Sequence, residues 1–181
     1  MDSPGALTLY EHPGGGPVRL RANGRRHRSN GLYFSVKSGR HLPHESKLEL
    51  HDLWSAEVRS GVVSSLPQPF TCSFVLDGVL RRYTPDRKDV LADGGVDIVE
   101  VKDVLSAAKD PLYARKLEHV ARFLGQSGMR FVLREREAIE AEPRFSATET
   151  IQRYRRTQVA VSDLVRVQRL FADHRLSLIH I

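Results

Sequence analysis

The sequence predicts an α/β protein with a mixed central sheet, an antiparallel meander joined by a parallel strand after a crossover helix, and helices on its flanks. Three observations carry that expectation. Phe70–Leu76 and Val79–Thr84 are β-rich runs separated by Asp77-Gly78, a dipeptide suited to the positive φ of a tight hairpin. A third run, Val96–Lys102, follows the turn Ala92-Asp93-Gly94-Gly95 and returns along the sheet. The period then changes: Lys116–Gln126 places Leu117, Val120, Ala121 and Leu124 on one helical stripe, Gly128 stops it, and Met129–Leu133 reads as a buried strand lying parallel to Val96–Lys102.

The other elements follow in order. Residues 1–29 form a loose basic leader, punctuated by Pro4, Gly5, Pro13, Gly14, Gly15, Gly16 and Pro17 and lacking any helical or strand period. Residues 30–145 make the main domain. Leu32-Tyr33-Phe34 gives a brief strand, and His44–Val58, entered from Pro43, gives an amphipathic helix through Leu48, Leu50, Leu53, Trp54 and Val58. Glu45 and Glu49 share one side of that helix, where glutamates usually meet solvent. Glu135–Ala141 predicts a short helix before Pro143. Residues 146–175 suggest one or two helices with too few residues for a core of their own. They read as the start of an incomplete C-terminal region. The closing segment, 176–181, has no cap and no period, and reads as a non-native tail.

Composition narrows the functional classes. The chain has 181 residues, 40% hydrophobic and 28% charged, and no apolar run approaches the roughly 18 residues of a membrane span. No membrane partner and a cytoplasmic location are expected, since no secretory signal precedes the chain and Cys72 is a lone cysteine. A net charge of +6 favours a polyanionic partner. The basic residues cluster: Arg19, Arg21, Arg25, Arg26, His27 and Arg28 early, and Arg153, Arg155 and Arg156 late. Such groups suit phosphate contacts, and Arg25, Arg26, Arg28, Lys37 and Arg40 are the candidate DNA-binding residues. No zinc spacing, phosphate-binding glycine loop or nucleophile elbow occurs, and packing roles outweigh metal ligation for His41, His44 and His51.

The stretch Tyr83–Lys102 carries charge where a structural hairpin would bury apolar groups. Glu100 and Lys102 point to one face of their strand, Val99 and Val101 to the other, and Pro85-Asp86 opens the opposite arm. Two acids and a lysine at one end of a sheet suit a divalent metal beside a phosphate. Any one of the three alone reads more simply as a turn residue or half of a cross-strand surface pair.

A helix with Glu49, then Thr84-Pro85-Asp86, then Glu100-Val101-Lys102, then helix and strand, resembles the PD-(D/E)xK nuclease superfamily with its restriction-endonuclease-like fold. Glu45-Ser46-Lys47-Leu48-Glu49, Gln68-Pro69-Phe70, Tyr83-Thr84-Pro85-Asp86 and Val99-Glu100-Val101-Lys102, in that order, resemble the N-terminal nuclease domain of the TnsA endonuclease family over roughly residues 30 to 140. Two departures stand out. Arg87-Lys88 replace the apolar residues usual after the aspartate, so that strand is expected to be irregular or at an edge, and Pro67 replaces a glutamate.

The resemblance implies a Mg²⁺- or Mn²⁺-dependent DNA endonuclease. Asp86 and Glu100 would be metal ligands, with the Val101 carbonyl completing the coordination and Glu49 reaching in from its helix; the alignment favours Glu49 over Glu45. Lys102 would orient the attacking water or stabilise charge on the phosphate oxygens. Family members cut transposon 5′ ends in double-stranded DNA, so an integrase-type transposase subunit and an ATPase regulator are the implied partners. The alternatives are a stand-alone nuclease of the same fold, of phage, repair or restriction type, and a non-catalytic DNA-binding module.

Overall fold

A computed structural model describes residues 7–18, 30–104 and 109–173. Contacts divide the chain into two units, Met1–Glu140 and Ala141–Ile181. The first holds β1 (Thr8–Glu11), β2 (Gly31–Ser35), β3 (Arg40–His44), α1 (Lys47–Val58), β4 (Val62–Pro67), β5 (Phe70–Leu76), β6 (Val79–Tyr83), β7 (Arg87–Leu91), β8 (Val96–Lys102), α2 (Pro111–Gln126), β9 (Arg130–Glu135) and α3 (Arg136–Ile139). The protein is mixed α/β, as expected from the sequence.

The central sheet has the order β4-β7-β8-β9, antiparallel except for the last pair. The parallel β8–β9 pair, with Glu100 beside Leu133 and Lys102 beside Glu135, is the one anticipated from the crossover helix. The meander differs from expectation. β5 and β6 do form the Asp77-Gly78 hairpin, but they belong to a second sheet, β1-β5-β6. β8 pairs instead with β7, a separate strand that begins just after Asp86. Far from being irregular or at an edge, β7 lies between β4 and β8 in continuous register from Arg87↔Val99 to Val90↔Val96.

Three further strands lay outside the sequence expectation. β4 carries two serines, β3 contains Pro43, and β1 falls in the supposedly period-free leader, where it pairs with β5 from Thr8↔Ser73 to Glu11↔Phe70. β3 pairs with β2 as a two-stranded ribbon, so Pro43 ends up in a strand and does not start the helix. Ser46 starts it: its hydroxyl accepts from the Glu49 N–H at 3.1 Å, while the Glu49 carboxylate accepts from the Glu45 N–H at 2.8 Å and from the Ser46 hydroxyl at 2.9 Å. This is a capping box shifted back by one residue.

α1 buries His51, Asp52 and Ser55 as well as Leu48, Leu53 and Ala56, so its inner face is far more polar than the apolar periodicity suggested. Asp52 explains this. It meets Arg87 of β7 and Arg134 of β9, and Arg87 also chelates Asp89 with contacts of 2.7 and 3.0 Å. The Ser65 hydroxyl, from β4, donates to Asp89 at 2.6 Å. On the other face α2 packs Leu117, Val120 and Leu124 against Ile98, Phe70, Phe74 and Tyr83. α2 opens on Asp110, which accepts from the Tyr113 N–H at 2.9 Å. It closes as a Schellman motif at Gly128, φ 74°, with Met129 N–H bonded to the Leu124 carbonyl at 2.9 Å.

The second unit contains α4 (Arg144–Tyr154) and α5 (Val161–Asp173). Val161, Leu164, Val165, Val167 and Leu170 of α5 are all exposed. The tail read as non-native, 176–181, lies outside the described residues, and no helix among the described residues is long and apolar enough to cross a membrane.

Candidate functional site

The site residues arrive from three elements, and strand alternation decides where they face. In β8, Val99 and Val101 pack with Leu48 of α1 and Ile139 of α3. Glu100 and Lys102 therefore face α2. The Glu100 carboxylate is 3% exposed and saturated with donors: the Tyr83 hydroxyl at 2.7 Å, the Tyr113 hydroxyl of α2, and the Lys102 ammonium at 3.0 Å. Lys102 also lies over the Tyr113 ring, 4.7 Å from its centroid. Burial alone would lower the Lys102 pKa, but the Tyr113 hydroxyl and Glu100 outweigh it and hold the ammonium protonated. Burial and the adjoining Glu100 charge push both tyrosine hydroxyls up, so they stay proton donors.

Asp86 sits where the chain turns from β6 into β7. A turn between β4 and β5 fixes it there: the Gln68 N–H donates to the Asp86 carbonyl at 2.9 Å, with Gln68 itself at φ 45°. Its side chain accepts from the Val101 N–H at 2.7 Å, which ties it to the middle of the Glu100-Val101-Lys102 triplet. Burial and the charge of Glu100, with a smaller push from Glu49, raise its pKa to about 8; the Val101 N–H and Lys102 oppose the rise. Glu49 lines a narrow cleft with Asp86, Val101, Pro43, Leu53, Pro67 and Arg87. Burial raises its pKa as well. Glu45 turns instead to the Gln68 side-chain amide, at 2.8 Å.

The four expected catalytic residues thus meet around β8 but not as one cage. Glu49 approaches from the α1 face and Glu100 from the α2 face, with Asp86 at the strand junction sensing both charges. Among the described residues no three His, Cys, Asp or Glu side chains group closely enough to hold an ion as they stand. The donor chemistry does fit a hard divalent cation. All the candidate ligands are oxygens; burial raises the proton affinity of Asp86 and of Glu49, and at Asp86 the charges of Glu100 and Glu49 add to it.

Of the candidate DNA-binding residues, Arg25, Arg26 and Arg28 lie outside the described residues. Arg40 is exposed, with one contact to the Gly15 carbonyl at 3.4 Å. The Lys37 ammonium is committed to the end of α1, donating to the carbonyls of Ala56, at 3.2 Å, and Arg59. Tyr83 and Tyr113 were not anticipated. Their signal in the sequence was an aromatic hydroxyl beside the Thr84-Pro85-Asp86 motif and another one helical turn before Lys116 and Leu117. No protein-family model matches the chain, and a search of curated proteins finds no match to it.

Proposed function

We propose that this chain is a metal-dependent DNA endonuclease resembling TnsA, which hydrolyses phosphodiesters at transposon 5′ ends in company with an integrase-type transposase and an ATPase regulator. One observation supports the reading above others. Asp86 is buried beside Glu100 and Glu49, and burial together with those neighbouring charges raises its pKa to about 8 against the opposing pull of the Val101 N–H and Lys102. Asp86, Glu100 and the Val101 carbonyl would hold Mg²⁺ or Mn²⁺, with Glu49 behind them. The bound ion supplies Lewis-acid stabilisation and a water of lowered pKa. The chain's own part is to keep the Lys102 ammonium charged beside that position, where it stabilises charge growing on the phosphate oxygens, and to hold Glu100 through Tyr83 and Tyr113.

A second reading, a non-catalytic DNA-binding module, is favoured by the saturation of Glu100: its three donors would also suit a purely structural carboxylate. Nicking of supercoiled plasmid separates the two. With Mg²⁺ and the partner transposase, wild type should nick, while Asp86→Ala and Lys102→Ala should each lose about 10²-fold or more. Wild type inert under every partner condition, or variants that nick equally well, would leave only the binding module.

A further inference from the structure

We propose that the cleft between β6 and the start of α2 is a binding subsite for a single-stranded segment of nucleic acid, gripping a phosphodiester with Arg81, Arg82 and Lys116 and packing a base against Tyr113, Leu80 and Leu112. The cleft has a volume of about 460 Å³ and is lined by these residues together with Leu76 and Asp110. That volume falls in the range of small-ligand sites. Three cationic side chains against one acid give the cleft the charge of an anion receptor, and its apolar members give it what a nucleobase needs.

Two features point to an occupant rather than to an ordinary basic surface. Arg81 lines the cleft with its Nε buried and lacking a hydrogen-bond partner, a guanidinium donor short of an acceptor. β6 is also the terminal strand of the β1-β5-β6 sheet, so among the described residues no strand covers its outer edge, which leaves backbone N–H groups for phosphate oxygens. The cleft and the carboxylate site share Tyr113. That residue forms a wall of the cleft and donates to Glu100, and the Lys116 ammonium lies 4.4 Å from the Tyr113 ring centroid and 5.5 Å from that of Tyr83. A strand seated here runs next to Glu100 and Lys102. A duplex of B-form width does not enter a cleft of this size, so the segment is a frayed end or a displaced strand.

The choice of nucleic acid as occupant rests on the endonuclease reading, so the test is run without metal and without cleavage. A short fluorescein-labelled oligothymidylate is titrated with the full chain in EDTA, read by anisotropy over a range of salt. Arg81→Ala/Arg82→Ala should weaken binding about tenfold and reduce the slope of log K against log salt by about 0.7, the value for one lost phosphate contact. Arg82→Lys should keep the slope. Amide shifts of the wild type on adding the oligonucleotide should fall on β6 and the first turns of α2. Unchanged affinity and slope in the double variant, or shifts confined to other elements, overturns the subsite. Nicking is scored separately, so an inert centre with a working cleft and an active centre with an indifferent cleft are told apart.

Discussion

Arg87→Met tests whether a buried charge network, rather than apolar packing, fixes α1 to the central sheet. Arg87, Asp52 and Asp89 are 3, 1 and 0% exposed. Arg87 lies 2.7 Å from Asp52, a contact off the N–H direction and so an ion pair rather than an aligned hydrogen bond, and it chelates Asp89 at 2.7 and 3.0 Å. Without it Asp52 keeps only Arg134 at 3.1 Å, and Asp89 keeps Ser65 and the half-exposed Arg59 at 3.3 Å. Each acid loses its closest cation while still out of water. Breaking a buried pair in this way costs about 3–5 kcal/mol, a large part of the roughly 5–15 kcal/mol that holds a domain folded. In urea the midpoint should fall by more than about 1 M. Adding Asp52→Leu removes the stranded charge with its partner, so the double variant should lose about 1–3 kcal/mol less than the two single losses combined. A stability within about 0.5 kcal/mol of wild type, or strictly additive losses, would refute the assignment of the network as the joint between helix and sheet.

Two other expectations concern the same region. The raised pKa of Asp86 implies that its contribution to stability is full below the unfolded value near 4 and is lost as pH rises through about 8, because the folded state must then carry the charge. In EDTA, Asp86→Asn should therefore stabilise the protein at pH 8 to 9 by about 1–2 kcal/mol and have no effect near pH 4, and Ca²⁺ should raise the melting temperature of wild type but not of this variant. Equal melting curves across that pH range would contradict the charge imbalance. Ser46→Ala should cost about 1 kcal/mol through loss of the cap and, by loosening Glu49, weaken Ca²⁺ stabilisation as well; chemical denaturation with and without the ion reads both effects.

The elements legible in the sequence were those with a local signature. The Asp77-Gly78 hairpin has its turn dipeptide, α2 has a buried apolar stripe and its Gly128 stop, and β9 has the change of period after that stop, although β9 is half-exposed where a buried strand was expected. The strand after Asp86 was legible but its central place was not, because Arg-Lys-Asp at its start reads as an irregular or edge strand, and only Asp52, 35 positions earlier by residue number, makes those charges fit a central one. β4 was hidden for a related reason: Ser65 is buried to serve Asp89. β1 depends on the free edge of β5, a long-range pairing with no local signature. At the site, alternation placed Glu100 and Lys102 together, and the order of motifs brought Asp86 to Val101. Alternation alone did not show that Glu49 comes from the opposite face of the sheet, nor that two tyrosines would hold Glu100.

The direction of the pKa shift separates Asp52 from Asp86. Burial pushes Asp52 up, yet Arg87 and Arg134 outweigh it and hold its carboxyl below the usual range. Burial pushes Asp86 up too, and there the neighbouring carboxylates add to it instead of cancelling it. The first arrangement leaves no negative charge unmatched: Arg59, Arg87 and Arg134 outnumber Asp52 and Asp89, and the network ties α1, β4, β7 and β9 together. In the second, Glu49, Asp86 and Glu100 are set against Lys102, with Lys116 on the Glu100 side only. Because Arg87 follows Asp86 directly, the same short segment anchors the first arrangement and aims the second.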